Sequence, residues 1–342
     1  MDTITNSLRA AEVGQPQHFR NLTAFPLLHS GAGKPDYITL SKAVQQETAS
    51  ISEISEGGSV PNLLLDNKGD EDVLILDGEE LIGAKQNRVA NLTILAAAHS
   101  KTVIPVSCVE AGRWSYSSRN FDVSERAMFH RGRAAKAAAL SQNLKATGTY
   151  GADQGQVWDG IAAKHVRMDV ESTTAAMADM YEQNHGSIED YVGEYKSVDD
   201  QVGVLFAIDG EIEGMDLFDA HATLENMLPK LVRSFAIDAL ESAHRESKQA
   251  DGEAASRFLD RVAAAHMDSY PGIGLGTDVR LSAPLVAGGG LVNGDKLIHL
   301  AAFRNEGPDQ SGNRNEQRSL FETRLRSHRY SRMRRRNKDS DH

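Results

Sequence analysis

Short apolar runs broken by Gly, Asn and Asp fill the first third of the chain. Residues 22–28, 51–54, 60–65, 73–76 and 103–109 each have strand length, and clusters such as Asp66-Asn67-Lys68-Gly69-Asp70 turn the chain between them. Strands at this spacing predict antiparallel pairing and not parallel crossovers. Pro26, inside the first run, predicts an edge strand. A short helix is expected at 39–44, with Ser41 as its N-cap.

After Trp114 the texture changes. Residues 124–145 are rich in Ala, Arg and Lys, with Gly148 beyond, and predict a helix. Further helices are expected at 153–165 and 172–182, divided by a break at 168–170. Strand texture returns at 201–208. A helix follows at 226–246, with Pro229 near its first turn and Leu231, Phe235 and Leu240 on its apolar side. Helical pattern continues over 256–266, then a glycine-rich β-region at 272–292 and a last strand at 296–303. The pattern predicts an α+β fold: a mostly antiparallel sheet system with an inserted helical segment. Leu76-Asp77-Gly78-Glu79 and Ile208-Asp209-Gly210-Glu211 echo each other after apolar strands, so two related β-units are a further expectation, against chance recurrence of a common turn pair.

The expected organisation is a loose N-terminal arm over 1–20 and one large domain over 21–305. That domain is β-rich at 21–114, helical at 124–185 and mixed at 200–305. A basic, disordered tail is expected over 306–342. The chain has 342 residues, enough to bury a sizeable core. No apolar stretch reaches membrane-span length, no secretory signal opens the chain, and Cys108 is its single cysteine; the expected setting is cytoplasmic. The net charge of −11 is uneven. Residues 314–342 hold 10 Lys and Arg against 4 Asp and Glu, a net +6, which leaves −17 on residues 1–313. So acidic a body does not attract nucleic acid by charge; only the tail could.

Candidate chemistry gathers between residues 73 and 114. Lys85-Gln86-Asn87-Arg88 is a donor-rich run after Gly83, suited to phosphate or to the polar edge of a nucleotide, without P-loop spacing. Glu110, Arg113 and Trp114 close the next apolar run. Glu110 is a candidate base or ribose-hydroxyl acceptor, and Arg113 a phosphate clamp. Glu80 is the second candidate catalytic carboxylate, and Glu79 or Glu80 would ligate a divalent cation if one is bound. The competing reading pairs one of these glutamates with Lys85 or Arg88. Cys108 would need His99 or His130 as a base to act as a nucleophile; a small core residue is the competing reading. Arg131 and Arg133 could reach a phosphate from a helix. No histidine spacing suits zinc.

At DGEELIGAKQNR (77–88) and IPVSCVEAGRW (104–114) the chain resembles the ARG and Rhodanese-Phosphatase-superfamily-associated Protein domain family of bacteria and phages. GSVPNLLLDN (58–67), QVWDGI (156–161) and GVLFAIDGEIEGMDLF (203–218) extend the likeness over about residues 21–303. The family's name records genomic company with ADP-ribosylglycohydrolases and phosphatase-like proteins. The resemblance therefore implies an ADP-ribose- or NAD-type ligand. The sequence-level expectation is a protein that binds or processes a nucleotide-type ligand, held by Lys85, Gln86, Asn87, Arg88, Arg113 and Trp114, with Glu80 and Glu110 as acid–base groups. The alternative is a non-catalytic scaffold with a protein partner, whose polar cluster is structural.

Overall fold

The computed structural model describes residues 2–55, 59, 61–242 and 248–305, so the expected tail at 306–342 lies outside the described residues. Residues Met1–Arg304 form one compact unit. The chain opens with helix α1 (Asp2–Ala10) and two short strands, β1 (Glu12–Val13) and β2 (Gln17–Phe19), both paired with β3 (Leu22–Leu28). This corrects the expected loose arm. Ile4 and Leu8 stand one helical turn apart and are buried in an apolar cluster that includes Phe258 and Val262.

Next come β4 (Tyr37–Thr39), α2 (Leu40–Gln45), β5 (Ala49–Glu53), β6 (Asn62–Asn67), β7 (Asp72–Ile75), β8 (Glu79–Gly83), β9 (Arg88–Ala90), β10 (Ile94–Ala96), β11 (Ser100–Cys108) and β12 (Phe121–Ala127). The cap of α2 is Thr39, not Ser41: its hydroxyl accepts from the Lys42 amide at 3.4 Å. The helical segment consists of α3 (His130–Thr147), α4 (Gln154–Arg167), α5 (Met177–Gln183) and α6 (His185–Glu194). Its first helix starts at His130, because residues expected to open it pair as β12 with β5 and β8. The remainder is β13 (Gln201–Ile208), β14 (Glu211–Phe218), α7 (His221–Ser242), α8 (Gly252–Ala263), β15 (His266–Pro271), β16 (Thr277–Ala283), β17 (Val286–Asn293) and β18 (Lys296–Arg304). Helix α7 starts earlier than expected and carries Pro229 in its interior.

The fold is α+β. A nine-stranded antiparallel sheet runs β1-β3-β13-β14-β18-β17-β16-β15, with β2 beside β3. Both faces of this sheet are covered. Along β13, Val204, Phe206 and Ile208 join one apolar cluster while Leu205 and Ala207 join another, which is why the strand reads as one unbroken apolar run. Pro26 is therefore not on an edge strand. Its carbonyl accepts from Gly14 on the side where β1 has ended and β2 has not begun, so its missing N–H falls in that gap.

Six strands close a barrel in the order β11-β6-β5-β12-β8-β9, and β10, β7 and β4 form a small sheet whose β4–β7 pair is parallel. The two Asp-Gly turns do not mark duplicated units. Asp209-Gly210 closes the β13–β14 hairpin, whereas Asp77-Gly78 carries the chain from the small sheet into the barrel. Among the described residues no helix is long and apolar enough to cross a membrane.

Candidate functional site at the barrel mouth

Directly paired residues share a face of a sheet. Leu81 pairs with Arg88, and Arg88 with Cys108. Two positions along from the latter pair lie Ala90 and Val106, both part of the barrel's apolar filling, so Arg88 and Cys108 point inward. Glu53 stands two residues after Ile51 and pairs with Leu63, also part of that filling, so it points inward too. In the ring of six strands β5 and β9 are three apart either way, which sets Glu53 and Arg88 on opposite walls at the same end.

The β8–β9 connection forms the rim of that end. Gly83 has φ 125°, and a side chain there would collide with Ser118 and the Asn120 carbonyl. The following loop is stitched to the segment after β11. Arg113 donates to the Ala84 carbonyl at 2.8 Å and to Asn87 Oδ1 at 3.0 Å, and pairs with Glu110 at 2.7 Å. The Glu110 carboxylate also accepts from the Asn87 amide at 3.2 Å. Gln86 donates to the Glu110 carbonyl at 2.8 Å; its Oε1 accepts from Arg88 Nη1 at 3.0 Å and from Cys108 Sγ at 2.9 Å. Lys85 Nζ sits 5.3 Å from the Trp114 ring centre and 5.0 Å from that of Tyr116, and both rings are about half exposed. Trp114 also lies 5.7 Å from the Arg88 guanidinium.

One member of this cluster is anomalous. Arg88 is completely buried, yet its Nε and Nη2 have no hydrogen-bond partner among the described residues. Burial pulls its pKa down, and the nearby charges of Cys108, Glu53 and Glu110 offset this only in part. Across the barrel, Oε1 of Glu53 is likewise buried without a partner. An open groove of about 750 Å³ adjoins this end, running between residues 52–55 and 116–120, so that Glu53 and Tyr116 belong to both.

The structure thus brings Lys85, Gln86, Asn87, Arg88, Glu110, Arg113 and Trp114 together and leaves Glu80 elsewhere. Glu80 pairs with Val89, which packs into the helical core, so both face outward from the barrel. It bonds Arg126 at 2.8 Å, and burial raises its pKa. Glu79 is held by Lys230 at 2.5 Å. The competing reading of these glutamates also needs correction: their cations are Lys230 and Arg126, not Lys85 or Arg88, because Glu80 is on the opposite face of the wall from Arg88 and Glu79 lies at the end of β8 away from the Gly83 rim. Among the described residues no three His, Cys, Asp or Glu side chains are grouped to hold a metal ion. Cys108 is buried, and burial pushes its thiol pKa up. The bases considered for it are engaged elsewhere, His99 with Asp70 and His130 with Asp238.

Sequence reasoning missed Glu53, Tyr116 and Gln154, whose side-chain amide bonds both the N–H and the carbonyl of Cys108 at 2.8 Å. It also missed a buried charge network. Arg133 does not reach outward from its helix. It forks onto Asp216 at 3.1 and 2.6 Å and touches Asp77 at 3.4 Å, and Lys136 bonds Asp77 beside it. His299 joins Asp216 at 3.0 Å to the Thr93 hydroxyl at 2.7 Å. Thr93, His299 and Asp216 have the connectivity of a nucleophile, base and orienting acid. However, Thr93 Oγ1 already accepts the Asp77 amide, Asp216 takes both arms of Arg133, and all three are buried. The network ties α3 and the β7–β8 turn to the large sheet.

A family model for the ARG and Rhodanese-Phosphatase-superfamily-associated Protein domain matches residues 10–303. The chain belongs to this family. No curated protein and no solved structure matched the chain. Both stretches that stitch the barrel mouth, 83–88 and 108–114, lie within the ARG and Rhodanese-Phosphatase-superfamily-associated Protein domain.

Proposed function

We propose that the chain binds a nucleotide-type ligand, with ADP-ribose and NAD among the candidates, at the barrel mouth and the groove beside it. The carrying observation is the buried, half-unpartnered guanidinium of Arg88. A buried cation that leaves donors unmade costs stability unless an incoming group completes it. Lys85 supplies a second positive charge at the rim, and Trp114 and Tyr116 offer flat faces to a base. The remaining polar residues have a supporting part: Arg113, Asn87 and Gln86 spend their hydrogen bonds holding the two loops in register. Glu110, held by Arg113 and the Asn87 backbone N–H, is the candidate base if a reaction follows binding.

The scaffold alternative draws on that same stitching, since a fully bonded loop pair needs no ligand. Thermal shift separates the two. In a panel of ADP-ribose, NAD and nucleoside di- and triphosphates, with and without Mg²⁺ or Mn²⁺, selective binding to the native state raises the melting temperature. The expected result is a shift with at least one compound in the wild type and none in Arg88→Met. A flat panel with folded protein would remove the ligand reading and turn attention to a protein partner.

A further inference from the structure

The two unpartnered nitrogens of Arg88 are not any two. Nε and Nη2 form one edge of the planar guanidinium, while Nη1 is turned to Gln86 Oε1 and the Asn87 carbonyl. A buried edge with both donors unmade is a two-donor fork that matches two oxygens of one phosphate or carboxylate. Behind it the barrel is plugged by Ile51, Leu65, Leu81, Ala90, Ile104 and Phe121, all buried. A ligand can therefore come to the fork only from the mouth, and only by an end.

Opposite the fork stands the unpartnered Oε1 of Glu53. Of the other groups whose charge acts on Arg88 among the described residues, Glu110 and Arg113 pair with each other, and the Cys108 thiol has its pKa raised by burial. The two walls thus leave two donors unmade on one side and one acceptor unmade on the other. A carboxylate fills the fork but has nothing to donate. The bridging diphosphate of a dinucleotide carries chain on both sides and no P–OH at neutral pH. Around its second pKa, near 6, a phosphomonoester is in large part the monoanion, which presents two acceptor oxygens and one hydroxyl on a single terminal group.

We propose that the barrel mouth receives the terminal phosphomonoester of a nucleotide, with Arg88 forking two oxygens and Glu53 accepting the proton on the third. This rests on the nucleotide reading above and narrows it. The base then lies outside, against Trp114 and Tyr116, and ADP-ribose and NAD become poor ligands because neither ends in a phosphomonoester.

Calorimetric titration of the full chain with AMP, ADP, ADP-ribose and NAD at pH 6.5 tests this, with circular dichroism to verify that each variant is folded. AMP and ADP should bind at least tenfold more tightly than the two capped compounds. Arg88→Lys keeps the charge but loses the fork, and should erase most of that gap. Glu53→Gln should reduce the weakening of AMP binding seen on going to pH 8, since a neutral amide no longer repels the phosphate dianion. Equal affinity for capped and uncapped compounds, or a gap untouched in a folded Arg88→Lys protein, would overturn the proposal while leaving the nucleotide reading intact. If none of the four bound, both would fall. The wild-type comparison decides the matter even if a variant does not fold.

Discussion

Arg88 and Arg133 are both fully buried arginines, and their surroundings predict opposite responses to the same substitution. Arg133 is matched on Asp216 and Asp77. Arg133→Met would take the guanidinium from two buried carboxylates, leaving Asp216 only His299 and Asp77 only Lys136 among the described residues, and a loss of about 3–5 kcal/mol is expected. Arg88 leaves two donors unmade and pairs with no carboxylate within ion-pair distance among the described residues. Arg88→Met removes an uncompensated charge from the barrel, so stability should hold or rise by about 1 kcal/mol while ligand binding is lost. Urea denaturation of the two variants against wild type checks the contrast. An Arg88→Met protein as damaged as Arg133→Met would mark Arg88 as structural.

At the scale of elements, the N-terminal helix shows how little local sequence reveals about docking. Nine residues with two large apolar side chains look like an arm, yet α1 buries Ile4 and Leu8 against the same cluster as α8. Ile4 is 0% exposed, so Ile4→Ala should cost about 2–5 kcal/mol, a core-sized penalty and not the near-zero effect of a frayed arm. A thermal melt distinguishes these. The i,i+4 spacing of Ile4 and Leu8 was visible in the sequence, but nothing local indicated a partner for so short a stripe. Strand β12 is the converse case. Residues 124–127 carry the expected helical pattern, but they belong to the strand that closes the barrel between β5 and β8, and tertiary pairing overrides propensity.

For the whole molecule, the buried network joining α3 and the barrel's entry turn to the large sheet predicts acid sensitivity. Arg133 and His299 outweigh the burial penalty on Asp216 and hold its pKa at about 2, against 3.8 for an unperturbed carboxyl. Asp77 and Asp238 are lowered as well, by Lys136 with Arg133 and by Lys164 with His130, again against burial. A depressed carboxyl contributes stability that is fully present above its unfolded pKa and is lost as pH falls through the folded value. Unfolding free energy should therefore stay level down to about pH 5 and then drop toward pH 2, with Asp216 alone accounting for about 2 kcal/mol. Denaturant melts across that range, with Asp216→Asn as the control of shallower slope, provide the measurement.

The sequence by itself determined the α+β character, the antiparallel bias, most strands and helices, and the family. Hydrophobic period and turn residues are local signals, and the motifs at 83–88 and 108–114 are contiguous. It also placed Lys85, Gln86, Asn87, Arg88, Glu110, Arg113 and Trp114 in one neighbourhood, since they flank two strands of the same barrel. Only the tertiary structure decided which of them have spare valence. Whether a donor is satisfied depends on residues far along the chain: Gln154 on Cys108, Arg126 on Glu80, Lys230 on Glu79, and Glu53 facing Arg88 across a ring of six strands. Strand alternation sends Glu80 outward and Arg88 inward, and barrel closure decides what the inward side chain meets. Those distances close only when the chain folds, so composition and spacing could mark the neighbourhood but not the open edge of one guanidinium within it.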